Sequence, residues 1–516
     1  MVDVNVSIPA VLRATAQASP AAPAICFSDR QLTFAEVDRA SDAIAASLAG
    51  QGIAQGDRVA LYCINSDAFA IAYTGIIKAG AVVVPVNLML KPKEISYILR
   101  DAGVKGLFYH HSFMETVAAF RAEISTLALC ISIGAEHGDD HCFEDFQQNR
   151  AKPPRPDIDP AEDLAAILYT SGTTGHPKGA MLTHCNLLSN SCSVVEAMQF
   201  RAGRDCILVV LPMFHSFAAT VGLLTPLLHG LSFAPAVRFD PAAISVLIGA
   251  VGATVFLGVP SMYNLLLRLP DEQLPHWSSV RFGISGGSAM PVAVMRQFEE
   301  HFGLPIYEGD GPTECSPVTC VNPIGKVTKP ASVGLPVPNV EIEILDDKGK
   351  QLPVDEIGEL CVRGANVMKG YWNLPQATAE SFFGDWFRTG DLGYKDEDGY
   401  LFMVDRKKDM IIVNGMNVYP RMVEEVLYQH PQISEAAVVG EPSTRHGELP
   451  IAHVVLQPDA KTTAAEVRAY CLENLGRHQV PRKIVLRTSL PKNAAGKILK
   501  RELRREGELE RGVDIQ

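Results

Sequence analysis

The run YTSGTTGHPKG at positions 169–179 gathers what an oligophosphate needs. Thr170, Ser171, Gly172, Thr173, Thr174 and Gly175 place hydroxyls and unhindered backbone N–H groups in one turn, and Lys178 adds a point charge beside them. In composition this is a phosphate loop, but not the P-loop of the NTPases. That motif needs Gly-Lys followed by Ser or Thr at a helix N-terminus, whereas Lys178 lies between Pro177 and Gly179. Kinase-like and GTPase-like chemistry is demoted accordingly. On composition alone, the competing reading is a turn that is simply flexible.

Elements that end in such turns must position them. Arg58–Ile64, Ala81–Val86, Ala165–Tyr169, Ala253–Leu257 and Arg281–Ser285 read as short strands, and Ser41–Gly50 and Val292–Phe302 as amphipathic helices. The alternation predicts an α/β fold with parallel strands and crossover helices, whose ligands collect beyond the carboxyl ends of the strands. At 516 residues and 47% hydrophobic content, the chain should divide into at least two domains. The proline-rich spots Pro153 to Pro160 and Pro336 to Pro338 read as connections between lobes. The clearest boundary follows Asp391, where an acidic turn (395–399) and the charged run DRKKD (405–409) precede a stretch of small-domain size. We expect a domain over 1–405, a second over 406–516, and a hinge between them.

A formal net charge of −12 offers no basic field for a nucleic-acid backbone, so an anionic ligand must be held locally and nucleic acid is not an expected partner. The eleven cysteines show no C-x-x-C pair or zinc-ligand spacing and read as apolar residues kept reduced in a cytoplasm. The N-terminal MVDVNVSIPA lacks the basic stretch and apolar run of a signal peptide. The apolar region 207–237 is broken by prolines and histidines, which predicts buried segments and no transmembrane helix. The residues do not set the oligomeric state; a homodimer is compatible with them.

Beside the phosphate loop stand LTFAEV (32–37), GDRVAL (56–61), LPMFHSF (211–217), SGGSAMP (285–291), YEGDGPTE (307–314), GELCVRG (358–364), FRTGD (387–391), DRKKDMIIVNGMNVYP (405–420) and PKNAAGK (491–497). In these motifs and their order, over nearly the whole chain, the sequence resembles the adenylate-forming superfamily of acyl-CoA synthetases, nonribosomal peptide adenylation domains and luciferases. The resemblance implies a large N-terminal domain of mixed, mostly parallel sheets with packed helices, and a small mobile α+β C-terminal domain. It implies that ATP activates a carboxylic acid as its acyl-adenylate, that coenzyme A then takes the acyl group, and that Mg²⁺ is held by Thr170 and Glu314. A hydroxyl, a carboxylate and phosphate oxygens suit that hard cation.

By the same resemblance, Asp391 grips the ribose hydroxyls and Arg406 steadies ribose and phosphate. Lys497 bridges carboxylate and α-phosphate, and Gly287, Glu308, Gly309, Asp310 and Thr313 complete the nucleotide site. Lys408 is the hinge residue, and Asn414, Gly415 and Met416 lie by the path of the thiol. Phe214, His215, Gly286 and Gly311 fall in the acyl pocket, with His215 also near the chemistry. Most relatives carry an aromatic residue where this chain has Asp310; a carboxylate cannot stack on adenine, so the base is packed by other groups or Asp310 hydrogen-bonds the nucleotide. No aspartate for a substrate ammonium follows LPMFHSF, and the small aliphatic residues there resemble fatty acyl-CoA synthetases of medium to long chain preference. The alternatives are an acyl-AMP ligase that delivers to a carrier protein, an aryl-CoA ligase, a luciferase-like oxidoreductase, and a non-catalytic nucleotide binder.

Overall fold

The computed structural model describes residues 3–170, 176–493 and 496–510. Two twisted sheets with parallel centres form the body. One, of nine strands, runs Cys206–Val209, Ser232–Pro235, Val255–Gly258, Phe282–Ser285 and Ile306–Asp310 in parallel. The other, of eight strands, has Arg58–Tyr62, Val82–Pro85, Gly106–His110 and Leu129–Ile133 in parallel, and carries the antiparallel hairpin Leu164–Thr170 with Lys178–Thr183. The five strands expected from sequence all form. The two helices also form, as Phe34–Gly50 and Val292–Phe302. Near-continuous apolar strands such as 82–85, buried along their length, are what a sheet covered on both faces requires.

Helices Phe34–Gly50, Asp67–Lys78 and His184–Ala197 contribute to one core with residues of both sheets. Caps fix where two of them start. The Thr33 and Glu36 side chains, and those of Thr183 and Asn186, each close a reciprocal capping box. A third sheet, Val340–Leu345, Gly358–Gly364, Phe382–Phe383, Trp386–Lys395 and Leu401–Arg406, is antiparallel. Beyond Arg406 the chain enters a fourth sheet, Ile411–Val413 to Lys483–Arg487, flanked by helices Pro420–Tyr428 and Ala464–Asn474. That sheet has its own core of Ile411, Val418, Val423, Leu427, Val438, Val454 and Val467.

Of the two proline-rich spots, Pro336 to Pro338 does join sheets, from Leu335–Pro336 to Val340–Leu345. Pro153 to Pro160 does not: it lies between His141–Cys142 and Leu164–Thr170, both strands of the eight-stranded sheet. Proline there serves an extended return across one sheet rather than a passage between lobes. Among the described residues, no helix is long and apolar enough to cross a membrane.

Candidate active site

Phe282–Ser285 and Ile306–Asp310 end side by side, with Ser285 opposite Glu308 in the parallel register. The turns that follow supply Gly286, Gly287, Gly311 and Thr313 to the wall of a cavity of about 150 Å³. This is the carboxyl edge of a parallel sheet, where such folds place ligands. The turn after Asp310 tolerates only glycine: a Cβ on Gly311 would lie 1.7 Å from the carbonyl oxygen of Pro317. One on Gly309 would lie 2.8 Å from that of Cys320.

The polar end of the cavity is lined by Asp310, Asp391, Arg406 and Lys497. Asp391 and Arg406 are cross-strand partners on Trp386–Lys395 and Leu401–Arg406, with Arg406 Nε 3.0 Å from the buried Asp391 Oδ1. Lys497 arrives from the last segment of the chain. Its N–H donates to Asn493 Oδ1 at 2.9 Å, and the preceding Gly496 carbonyl accepts from Ser261 Oγ at 3.2 Å. Burial, reinforced by Arg406, lowers the Lys497 ammonium to about 8, against the pull of Asp391 and Asp310. Burial and the Asp391 charge raise the Asp310 carboxyl to about 6, while Arg406 and Lys497 oppose the shift. His215, also on the cavity, is lowered to about 4 by burial and by Lys497, and is therefore a neutral imidazole at pH 7.

Thr170 and Glu314 meet as the motifs imply. Thr170 Oγ1 donates to Glu314 Oε1 at 3.2 Å. The same oxygen accepts from Tyr371 Oη at 2.9 Å, and Lys178, opposite Thr170 in the hairpin, lies 5.1 Å over the Tyr371 ring. Tyr371 escaped the sequence reading because nothing in its surroundings marks it. Only the pairing of Gly370–Tyr371 with the strand after the phosphate loop brings it there. Ser171, Gly172, Thr173, Thr174 and Gly175 lie outside the described residues.

Glu308 and Phe214 stand outside the cavity, and so do the residues expected at the hinge and the thiol path. Glu308 is buried behind the cavity wall, where its Oε1 accepts from Met290 N at 2.8 Å and lies 3.8 Å from Arg421 Nη2. Burial raises its carboxyl to about 7. It braces the glycine turn rather than lining the cavity. Phe214 is a core residue, and Phe217, three positions on, lines the cavity; Thr313 Oγ1 lies 3.0 Å from Ser216 Oγ. Lys408 is exposed in the turn that leaves Arg406, and Asn414, Gly415 and Met416 are exposed on the hairpin Ile411–Val413 to Met416–Val418. Asn414 and Gly415 form its two-residue turn, both left-handed (φ 51° and 81°), as Asn-Gly favours. None of these four lines the cavity. Its apolar end is built by Val194, Met198, Phe217, Val221, Val318 and Val321.

The architecture is that of the adenylate-forming enzymes. A solved anthranilate CoA ligase in complex with anthranoyl-AMP superposes with a TM-score of 0.92 at 29% identity, over 99% of each chain. The AMP-binding enzyme model matches residues 12–372, and the model of the AMP-binding enzyme C-terminal domain matches residues 422–497. The chain belongs to the AMP-binding enzyme family. It is 35% identical to a long-chain-fatty-acid–CoA ligase of Bacillus subtilis (strain 168), over 97% of this chain and 95% of that protein. It is also 35% identical to a feruloyl-CoA synthase of an Amycolatopsis species, over 95% and 97% respectively. The fold class and the family implied by the ordered motifs are thereby borne out.

Proposed function

We propose that this chain is an ATP-dependent, AMP-forming acyl-CoA ligase for an apolar carboxylic acid. The observation that carries the reading is one cavity with the Asp391–Arg406 pair and Lys497 at its polar end and aliphatic and aromatic walls at the other. A substrate carboxylate oxygen attacks the α-phosphorus of ATP, the bond from α-phosphorus to the bridging oxygen breaks, and pyrophosphate leaves. Two anions must approach, so cationic stabilisation is the main requirement. Lys497 supplies it beside the reacting groups. Asp391 accepts from the ribose hydroxyls while Arg406 holds Asp391 and faces the phosphate. The thiol sulfur of coenzyme A, its proton lost to solvent or base, then attacks the acyl carbon; the bond to the AMP oxygen breaks and the thioester forms.

Thr170 and Glu314 place two oxygens 3.2 Å apart beside the start of the phosphate loop, a fit for Mg²⁺ shared with ATP phosphates. Bound there, the ion would neutralise charge on the leaving pyrophosphate. Lys497 lines the cavity in this arrangement, while the Asn414–Met416 turn stands exposed. We take residues 406–516 to turn about Lys408 between the half-reactions, withdrawing Lys497 and bringing that hairpin to the thiol path. Their separate core supports movement as a unit. Eleven cysteines, none of them in a disulfide, suit a cytoplasmic enzyme.

The test is product analysis after incubation with ATP, Mg²⁺, coenzyme A and a panel of acids. AMP, pyrophosphate and acyl-CoA in equal amounts are expected. Acyl-adenylate that accumulates while coenzyme A stays free would instead identify a carrier protein as acceptor.

A further inference from the structure

The apolar end of the cavity bears on which acids enter, an inference that rests on the ligase reading above. A closed protein cavity of roughly 150 Å³ is the size that holds benzene. Here about 150 Å³ is shared with the polar end at Asp391, Arg406 and Lys497, so the apolar end has room for one group of about that size and no more.

The walls are pinned. Asn190 on the helix His184–Ala197 donates to the Val318 carbonyl at 2.7 Å and accepts from Val318 N at 3.2 Å, locking helix to loop. The π-helical turn Ala218–Leu224 that carries Val221 lies hard on the central strand, for a Cβ on Gly222 would come 2.8 Å from Val209 Cγ2. Val194 and Met198, one turn apart and both buried, close the cavity on the helix side. Among these, Met198 is the unbranched, adaptable side chain whose length fills the most space.

We propose that Met198, backed by Val194, sets the depth of the acyl pocket, and that the enzyme accepts acids whose apolar part is about the size of a single ring, or a chain of about six carbons. Saturated acids of fourteen or more carbons are then poor substrates. Selection is steric: the carboxylate is fixed at Lys497, and each methylene beyond the wall must displace packed core.

The experiment measures kcat/KM for AMP release by the full-length protein with ATP, Mg²⁺ and coenzyme A, across straight-chain acids from butyrate to palmitate and benzoate. An optimum at hexanoate or benzoate is expected, with palmitate at least about 100-fold below it, given that one misplaced methylene costs roughly 10–200-fold. Met198→Ala should move the optimum two or three carbons longer, and Met198→Phe should shorten it. A wild-type profile that rises through myristate and palmitate overturns the proposal, and so does a length profile unchanged by both Met198→Ala and Val194→Ala. Should those variants fail to fold, the wild-type profile decides alone. No AMP from any acid would instead overturn the ligase reading itself.

Discussion

Lys497 is a cation poised near its deprotonation, since burial and Arg406 lower it to about 8. On the proposed mechanism adenylation needs the protonated form, so kcat/KM for ATP should fall as pH rises through about 8 in the free enzyme. With anionic ATP bound, the ammonium is favoured and the limb in kcat should lie higher. Lys497→Arg should remove the alkaline limb, because a guanidinium stays charged. Lys497→Ala should slow adenylation by at least about 100-fold and spare thioester formation from supplied acyl-adenylate; equal loss of both would refute that division. Asp310 poses a sharper question. Its carboxylate faces Asp391 and shares Arg406 and Lys497 with it. Asp310→Tyr should lower the KM for ATP by about three- to tenfold, since a stacked ring adds about 0.5–1.5 kcal/mol and a competing anion is gone. A higher KM, measured by initial rates, would show that Asp310 hydrogen-bonds the nucleotide. At this scale the charged residues were legible in the sequence, because carboxylates and lysines in glycine turns stand out. Tyr371, Met198 and Val194 were not, because a tyrosine in an ordinary strand or apolar residues one helical turn apart look the same whether they face a ligand or a core.

The turn after Leu401–Arg406 is where the chain passes from the third sheet to the fourth. Its backbone bonds run from Asp409 N and Met410 N to the Arg406 carbonyl, so proline at 408 removes neither. It does fix φ and restrict Lys407 before it. Lys408→Pro should therefore leave adenylation within about threefold of wild type and suppress the thiol step, read by stopped-flow coenzyme A consumption. Full retention of thioester formation would place the hinge elsewhere. The strands were readable from β-branched runs that end in glycine-rich or polar turns. The π-helical turn Ala218–Leu224 was not, because its wide winding is set by tertiary contact with Cys206–Val209 rather than by any local propensity. Pro153 to Pro160 misled for a related reason: proline marks an extended segment, and extended segments also return across a single sheet.

Besides the packing of Tyr428 on the body's core and the Arg421 bonds to the Met403 and Ala331 carbonyls, a set of polar contacts holds the small domain in place, and the proposed two-position enzyme must exchange them. Asn264 Nδ2 donates to the Ser434 carbonyl at 2.9 Å, and Arg268 Nη2 to Ser434 Oγ at 3.0 Å. Ser261 holds the Gly496 carbonyl, Val292 N reaches Glu425 Oε2 at 3.5 Å, and Arg421 lies 3.8 Å from Glu308. These are polar and mostly single bonds, each contributing about 1 kcal/mol net, so none alone locks the domain. If the domain turns as proposed, all of them must break before the Asn414–Met416 turn can replace Lys497 at the cavity. Removing one should therefore shift the balance between orientations without harming either site. Asn264→Ala, at a residue that does not line the cavity, is expected to slow adenylation by about fivefold, the equivalent of roughly 1 kcal/mol. Thioester formation from supplied acyl-adenylate should stay equal or quicken. Parallel losses in both half-reactions, measured by single-turnover quench, would mean that Asn264 supports the fold and not the posture. Divergent rates would establish that the enzyme's two steps compete for one mobile domain through contacts this weak.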